Sequence, residues 1–290
     1  VAIATYRLGC AIWSNPDWRG EFYTVDAQSS DFLRQYTTVF NTVEGNTTFY
    51  GLPRREAVAR WKEEAAADFR FCFKFPRSIS HERRLRGVAA ETREFLERLM
   101  PLTGRLGPLF LQMPKEFGPA DLETLAHYLT QLPADLHYAL EVRHADFFSE
   151  GTARKHLDRL LRDFAVDRVV LDSRALFTAR PDDPETREAQ RRKPRLPVLA
   201  SAIGRRPVIR FIGHPELAAN RPFLVQWAER VAEWLTEGRT PYVFLHTPNN
   251  RHAPSLARLF HSLLKERLAV VGELPDWPAE KAIRPQLTLF

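Results

Sequence analysis

The stretch FRFCFKFP (69–76) limits the fold of this chain more than any other. Phe69, Phe71, Phe73 and Phe75 alternate with Arg70, Cys72 and Lys74. A period of two sends alternate side chains to opposite faces of a β-strand. Four phenylalanines on one face need a thick apolar cover, such as a layer of helices. The other face is narrow and mixed and ends in a lysine. Pro76 has no N–H to give a ladder and ends the strand. A polar, basic loop follows, with Arg77, Ser78, His81, Glu82, Arg83, Arg84 and Arg86. The strand therefore carries a cation inward at its C-terminal end, where parallel α/β proteins place their chemistry.

Similar runs recur along the chain. Strands are expected over 8–13, 39–45, 69–75, 108–113, 138–142, 168–171, 208–212 and 242–245. Amphipathic helices are expected over 27–36, 55–66, 92–102, 119–132, 152–164, 221–237 and 254–264. Eight β/α units without a linker predict an α/β fold, a single (β/α)8 TIM barrel over residues 1–270. A doubly wound open sheet is the alternative. No GxGxxG follows the first strand, so a dinucleotide fold has no support. Residues 271–290, broken by Pro275, Pro278 and Pro285, read as an extended C-terminal tail.

With 44% hydrophobic and 27% charged residues, the chain has the make-up of a globular protein. It holds no run of about 18 apolar residues, so no membrane span is expected. Cys10 and Cys72 lie in separate strands without CxxC spacing and read as buried small hydrophobes. The opening VAIATYRLGC is not a basic segment followed by a long apolar one, and a cytoplasmic protein is expected. The net charge of +6 is concentrated: residues 174–206 hold nine Lys/Arg against four Asp/Glu. Such a segment suits an anionic partner, or is a solvated loop.

In a barrel, inward residues at the C-terminal strand ends build the site. Parity brings Glu44 and Asn46, Lys74, Glu141 and Arg143, and Arg210 to that face. Trp13, Gln112, Asp172, His214, His246, Asn249 and Asn250 stand at other strand ends. Each has a plainer reading. Glu141 with Arg143 or Arg210 could form a structural ion pair, Asp172 could cap a turn, and Trp13 could pack. Together, so many ionisable groups at one mouth suggest function. Neither a Walker-type glycine loop nor HExxH is present.

VEGNTTFYGLP (43–53), FRFCFKFP with ISHE (79–82), EVRH (141–144), VLDSR (170–174) and the IRFIG–FLHTPNN pair resemble the YecE family. This is the bacterial TIM-barrel family known as domain of unknown function 72. The resemblance covers about residues 7–265 and implies a barrel, without supplying a reaction. The fold is also similar to that of phosphodiester-cleaving TIM-barrel endonucleases. Those use a His-rich trinuclear metal cluster, for which this mouth has too few histidines.

The expected function is an enzyme acting on a phosphate-bearing or nucleic-acid substrate. Glu44, Lys74, Glu141 and Asp172 are the candidate catalytic residues. Trp13, Asn46, His81, Arg143, Arg210, His214, His246 and Asn249 are candidates for binding an anionic small molecule. Arg83, Arg84, Arg191, Arg192 and Lys193 are candidates for nucleic acid. Any metal cofactor held by hard carboxylates would be Mg or Mn. A non-catalytic nucleic-acid-binding adaptor and a small-metabolite lyase or isomerase are the alternatives. An open basic groove would favour the first, a closed mouth the second. The final QLTLF resembles the short peptide that binds the bacterial DNA polymerase sliding clamp, with Gln286, Leu287, Leu289 and Phe290 as its contacts. The alternative is that these apolar residues fold back onto the barrel.

Overall fold

The phenylalanine face lies where its alternation puts it. Phe69, Phe71, Phe73 and Phe75 are all buried, and Trp61 stacks over Phe71 and Phe73 with ring centroids 6.3 and 5.4 Å away. The computed structural model describes residues 6–287, and the side chains of residues 6–283. Its strands are β1 Arg7–Cys10, β2 Thr42–Gly45, β3 Arg70–Phe73, β4 Leu109–Gln112, β5 Tyr138–Glu141, β6 Asp167–Asp172, β7 Val208–Ile212 and β8 Tyr242–His246. Its α-helices are α1 Phe32–Tyr36, α2 Arg55–Glu64, α3 Ala89–Leu99, α4 Leu122–Leu129, α5 Thr152–Asp163, α6 Arg174–Thr178, α7 Pro184–Arg192, α8 Arg221–Thr236, α9 Ala253–Arg267 and α10 Pro278–Leu287. Among the described residues, no helix is long and apolar enough to cross a membrane.

All strand pairings are parallel. One ladder has six strands in the order β1-β8-β7-β6-β5-β4, and a second pairs β2 with β3. The hydrogen-bonded architecture is thus an α/β fold with a curled parallel sheet, a half-barrel, beside a two-stranded piece. Only single bridges, Phe71–Leu106 and Lys74–Phe110, join β3 to the next segment. Between β1 and β2, side chains take the place of a ladder. The Tyr36 hydroxyl accepts from Cys10 N at 2.7 Å and donates to Thr42 O at 3.0 Å. Asn41 Oδ1 accepts from Leu8 N at 2.8 Å. Gly9 permits the approach, because a Cβ there would lie 2.0 Å from Thr42 O.

The sheet has two distinct faces. Cys72, Phe110, Ala139, Val169, Val208, Tyr242 and Phe244 form an inner cluster with members from both ladders. Val43, Phe71, Leu140, Val170, Phe211 and Leu245 turn to the helical layer. Above the inner cluster, Leu171 and Ile212 meet Leu176 of α6 and Ala189 of α7. The basic segment, expected as loop with a short helix, forms two short helices that cover the strand ends over β6 and β7. Asp183 starts α7 by accepting from Thr186 N at 2.7 Å, with Pro184 in the first turn.

Two expectations about elements are corrected. The helix expected over 27–36 shrinks to α1, because Asp31 Oδ2 accepts from Gln28 N at 2.9 Å and holds a turn instead. The described part of residues 271–290, up to 287, is not an extended tail. Trp277 is buried against Phe22 at 5.5 Å, and the Arg258 guanidinium lies 3.6 Å above its ring. The same guanidinium forks onto Glu280 at 2.7 and 2.8 Å. Pro278 is the first residue of α10, a position where a missing N–H is tolerated, so it starts a helix rather than preventing one. Gln286 and Leu287 fall within α10, and Leu289 and Phe290 lie outside the described residues.

Candidate active site

The strand ends converge on one guanidinium. Arg210, inward on β7, is held by Glu44 from β2 and Glu141 from β5. Its Nε and Nη2 donate to Glu44 Oε2 and Oε1, each at 2.7 Å. Its Nη1 donates to Glu141 Oε2 at 2.5 Å, with Gln112 Oε1 from β4 at 3.5 Å. Lys74, just past β3, reaches Glu44 Oε1 at 3.0 Å, and His246 Nε2 from β8 lies 3.1 Å from Glu44 Oε2. Arg143 donates from Nε and Nη2 to Glu141 Oε1 at 2.9 and 2.7 Å. Glu44 thus receives four donors, two on each oxygen, which fills its acceptor capacity. The contact with Glu44 also places the proton of the neutral His246 ring on Nε2.

The electrostatics follow from burial and this wiring. Burial alone would raise the Glu44 carboxyl, but Arg210 and then Lys74 outweigh it and hold it well below the usual range. Burial likewise opposes ionisation of Glu141, and Arg210 and Arg143 bring it down to about 2. Lys74 is lowered to about 8, first by burial and then by the Arg210 charge. Burial lowers His246 to about 4 against the pull of Glu44. Three cations, Lys74, Arg143 and Arg210, stand against two carboxylates, and the most exposed side chain of the five, Arg143, is only 18% exposed. Isolated buried charge is expensive, so an excess of buried cations calls for an anion.

Two further residues belong to this field. Ser78–Glu82 forms a π-helical turn after β3, and its His81 meets Ser80 Oγ at 2.9 Å through Nδ1. Burial and then the Arg143 charge lower His81 to about 4. Lys193 closes the C-terminus of α7. It is lowered to about 7 by burial, then by Arg210 and Lys74. Grouped in sequence with Arg191 and Arg192 as a surface cation, Lys193 senses the mouth instead. No spacing signal separates it from its neighbours; its place at the C-terminus of α7 does.

Other expected site residues stand apart. Asp172 is buried on the opposite face of β6, because inward positions there are Val169 and Leu171, beside Val208 and Arg210. It accepts from Trp227 Nε1 at 2.8 Å and pairs with Arg174 at 2.9 Å. Trp13 packs edge-on against Trp61 and Phe71 at 5.4 and 6.3 Å, in the helical layer. Asn46 is a strand tie, donating to Ala11 O at 2.9 Å. His214 and Asn249 serve local turns, accepting from Glu216 N at 2.9 Å and Arg251 N at 3.0 Å. Arg83 pairs with Glu91 at 2.9 Å, and Arg84 is exposed in a left-handed conformation. Arg191 and Arg192 both pair with Glu188. Glu44 and Glu141, the carboxylates suited to Mg or Mn, are both committed to Arg210. Among the described residues no group of three His, Cys, Asp or Glu is placed to hold a metal.

Comparison with known proteins places this chain in a family. The UPF0759 protein YecE of Escherichia coli K12 is 42% identical over 276 residues, covering 95% of this chain and 98% of that protein. Its counterpart in Escherichia coli O157:H7 is 41% identical over the same length. A crystal structure of a DUF72 family protein from Thermotoga maritima superposes with a TM-score of 0.68 at 22% identity, covering 91% of this chain and 99% of that one. One from Enterococcus faecalis gives a TM-score of 0.67 at 19% identity, covering 92% and 98%. These two similarities bear on the fold alone. The family described as protein of unknown function DUF72 matches residues 7–282, and the chain belongs to it.

Proposed function

We propose that this protein is an enzyme for a small anionic metabolite, a phosphate monoester or carboxylate, bound among Lys74, Arg143 and Arg210. The observation that carries this reading is the buried excess of cations over carboxylates at the strand ends. Arg210 acts as the fixed frame, since Glu44 forks onto it and Glu141 accepts from its Nη1. Arg143 and Lys74 supply donors to the anion, and Lys74, brought down to about 8, can exchange a proton near neutral pH. A small ligand is favoured over nucleic acid by the cover that α6 and α7 form over β6 and β7. It is favoured also by Arg191 and Arg192, whose charge is shared with Glu188. The reading takes the two ladders as one closed barrel. The Tyr36 bridge between β1 and β2 and the bridges from Phe71 and Lys74 support that closure. The chain-end peptide 286–290 carries no part of it.

Calorimetric titration with inorganic phosphate, glycerol phosphate, small dicarboxylates and a short DNA duplex tests this reading. Saturable binding of one small anion, weakened about tenfold or more in Arg143→Ala, is the expected result; each ~1.4 kcal/mol lost is tenfold in affinity. Binding of the duplex alone, with a salt dependence set by Arg191 and Arg192, would overturn it.

A further inference from the structure

We propose that Lys74 is an imine-forming nucleophile, and that the anion bound at this site carries an aldehyde or ketone carbon within its reach. This rests on the small-anion reading above. Of the three cations, two are guanidiniums, which do not give up a proton in proteins. Lys74 is the one that can relieve the excess charge by becoming a neutral amine. Glu44, which pairs with it at 3.0 Å, favours the charged form but divides that pull among several donors. Both Glu44 oxygens are already taken by Arg210 at 2.7 Å, and His246 shares one of them at 3.1 Å. The side chain is 8% exposed at the C-terminal end of β3, so the amine is held largely out of water among the other charges of the site. Burial and the Arg210 charge bring Lys74 to about 8, so the neutral form is present near neutral pH. A lysine desolvated beside another cation is a recurrent way to make an amine nucleophile.

In the step itself the Lys74 nitrogen attacks the carbonyl carbon. A C–N bond forms and the C=O π pair moves to oxygen, which takes a proton from the amine. The carbinolamine then loses that oxygen with the second amine proton as water. One water leaves per imine and no oxidant or reductant enters. Arg143 is placed to hold the anionic group. Its Nε and Nη2 bind Glu141, leaving the Nη1 hydrogens uncommitted to that carboxylate.

The experiment treats the full chain with pyruvate, glyoxylate or dihydroxyacetone phosphate, each with and without cyanoborohydride, and maps adducts by peptide mass spectrometry. Inorganic phosphate and each probe are scored in parallel for a rise in melting temperature. The expected result is one reduced adduct per chain, on Lys74, formed faster at pH 8 than at pH 6. It requires both carbonyl and reductant, and K74R, checked for folding by circular dichroism, lacks it. The wild-type peptide map decides the matter even where K74R does not fold. A rise in melting temperature without a Lys74 adduct would overturn the imine and leave the small-anion reading standing. Neither a rise nor an adduct would overturn both. An adduct on Lys193 with Lys74 unmodified would overturn the assignment of the nucleophile.

Discussion

At the scale of single residues, Arg210 organises the site. Replacing it by Met would leave Glu44 and Glu141 buried without their main partner. Breaking one side of a buried pair costs about 3–5 kcal/mol, so Arg210→Met should unfold at markedly lower denaturant. Urea unfolding checks this, and a loss within ~1 kcal/mol would mean that the carboxylates are already compensated. The histidine has its own pH signature. Because the folded His246 sits near 4 against an unfolded 6.5, the unfolded state binds more protons between those values. Stability therefore falls as pH drops from about 6.5 to 4. Glu44 and Glu141 are also depressed when folded, so their contribution is full above about 4.5 and is lost as pH falls toward 2. His246→Asn should make the upper part of that slope shallower, with the share of His81 remaining, and leave the lower part intact, measured as unfolding free energy against pH. Much of this cluster was legible from parity: Glu44, Lys74, Glu141, Arg143 and Arg210 each occupy the expected face. Asp172 falls outside the cluster because its position at a strand end does not give its register: Leu171, not Asp172, lies beside Arg210. Lys193 was hidden in a basic run where composition is uniform and only the path of the backbone distinguishes one cation from the next.

At the scale of elements, β3 couples the outer core to the site. Its outward phenylalanines anchor the strand, and its inward side delivers Lys74. Phe71→Ala should cost about 3–5 kcal/mol by opening a cavity beneath Trp61, read by chemical unfolding. Helix α7 is more weakly held, with Ala189 its contribution to the cluster over Leu171 and Ile212. Removing the N-cap with Asp183→Ala should cost the helix roughly 1 kcal/mol. The expected readout is local: faster acylation of Lys193 by a lysine-reactive reagent, with the reactivity of the exposed Lys115 unchanged. Equal Lys193 reactivity in both proteins would show that α7 does not shield it. Strands were legible because apolar alternation and strand geometry share one period. Helix ends were less so, because Asp31 and Pro278 act through local hydrogen bonds and chain direction rather than through periodicity.

At the scale of the whole molecule, the sheet, the phenylalanine strand and the α6–α7 cover serve one arrangement: cations in excess of carboxylates, held out of water at the strand ends. The net charge of +6 concentrated in residues 174–206 was the sequence's indication of an anion, but it did not locate one. The surface arginines of that segment share their charge with Glu188, while the buried cations come from three separate strand ends that only the fold brings together. The most direct test is a crystal of this protein soaked in bromide, with the anomalous signal mapped over the whole chain. The strongest peak is expected between Lys74, Arg143 and Arg210, displaced when phosphate is added. Strong peaks confined to Arg191, Arg192 and the other exposed arginines, with none among those three residues, would contradict it.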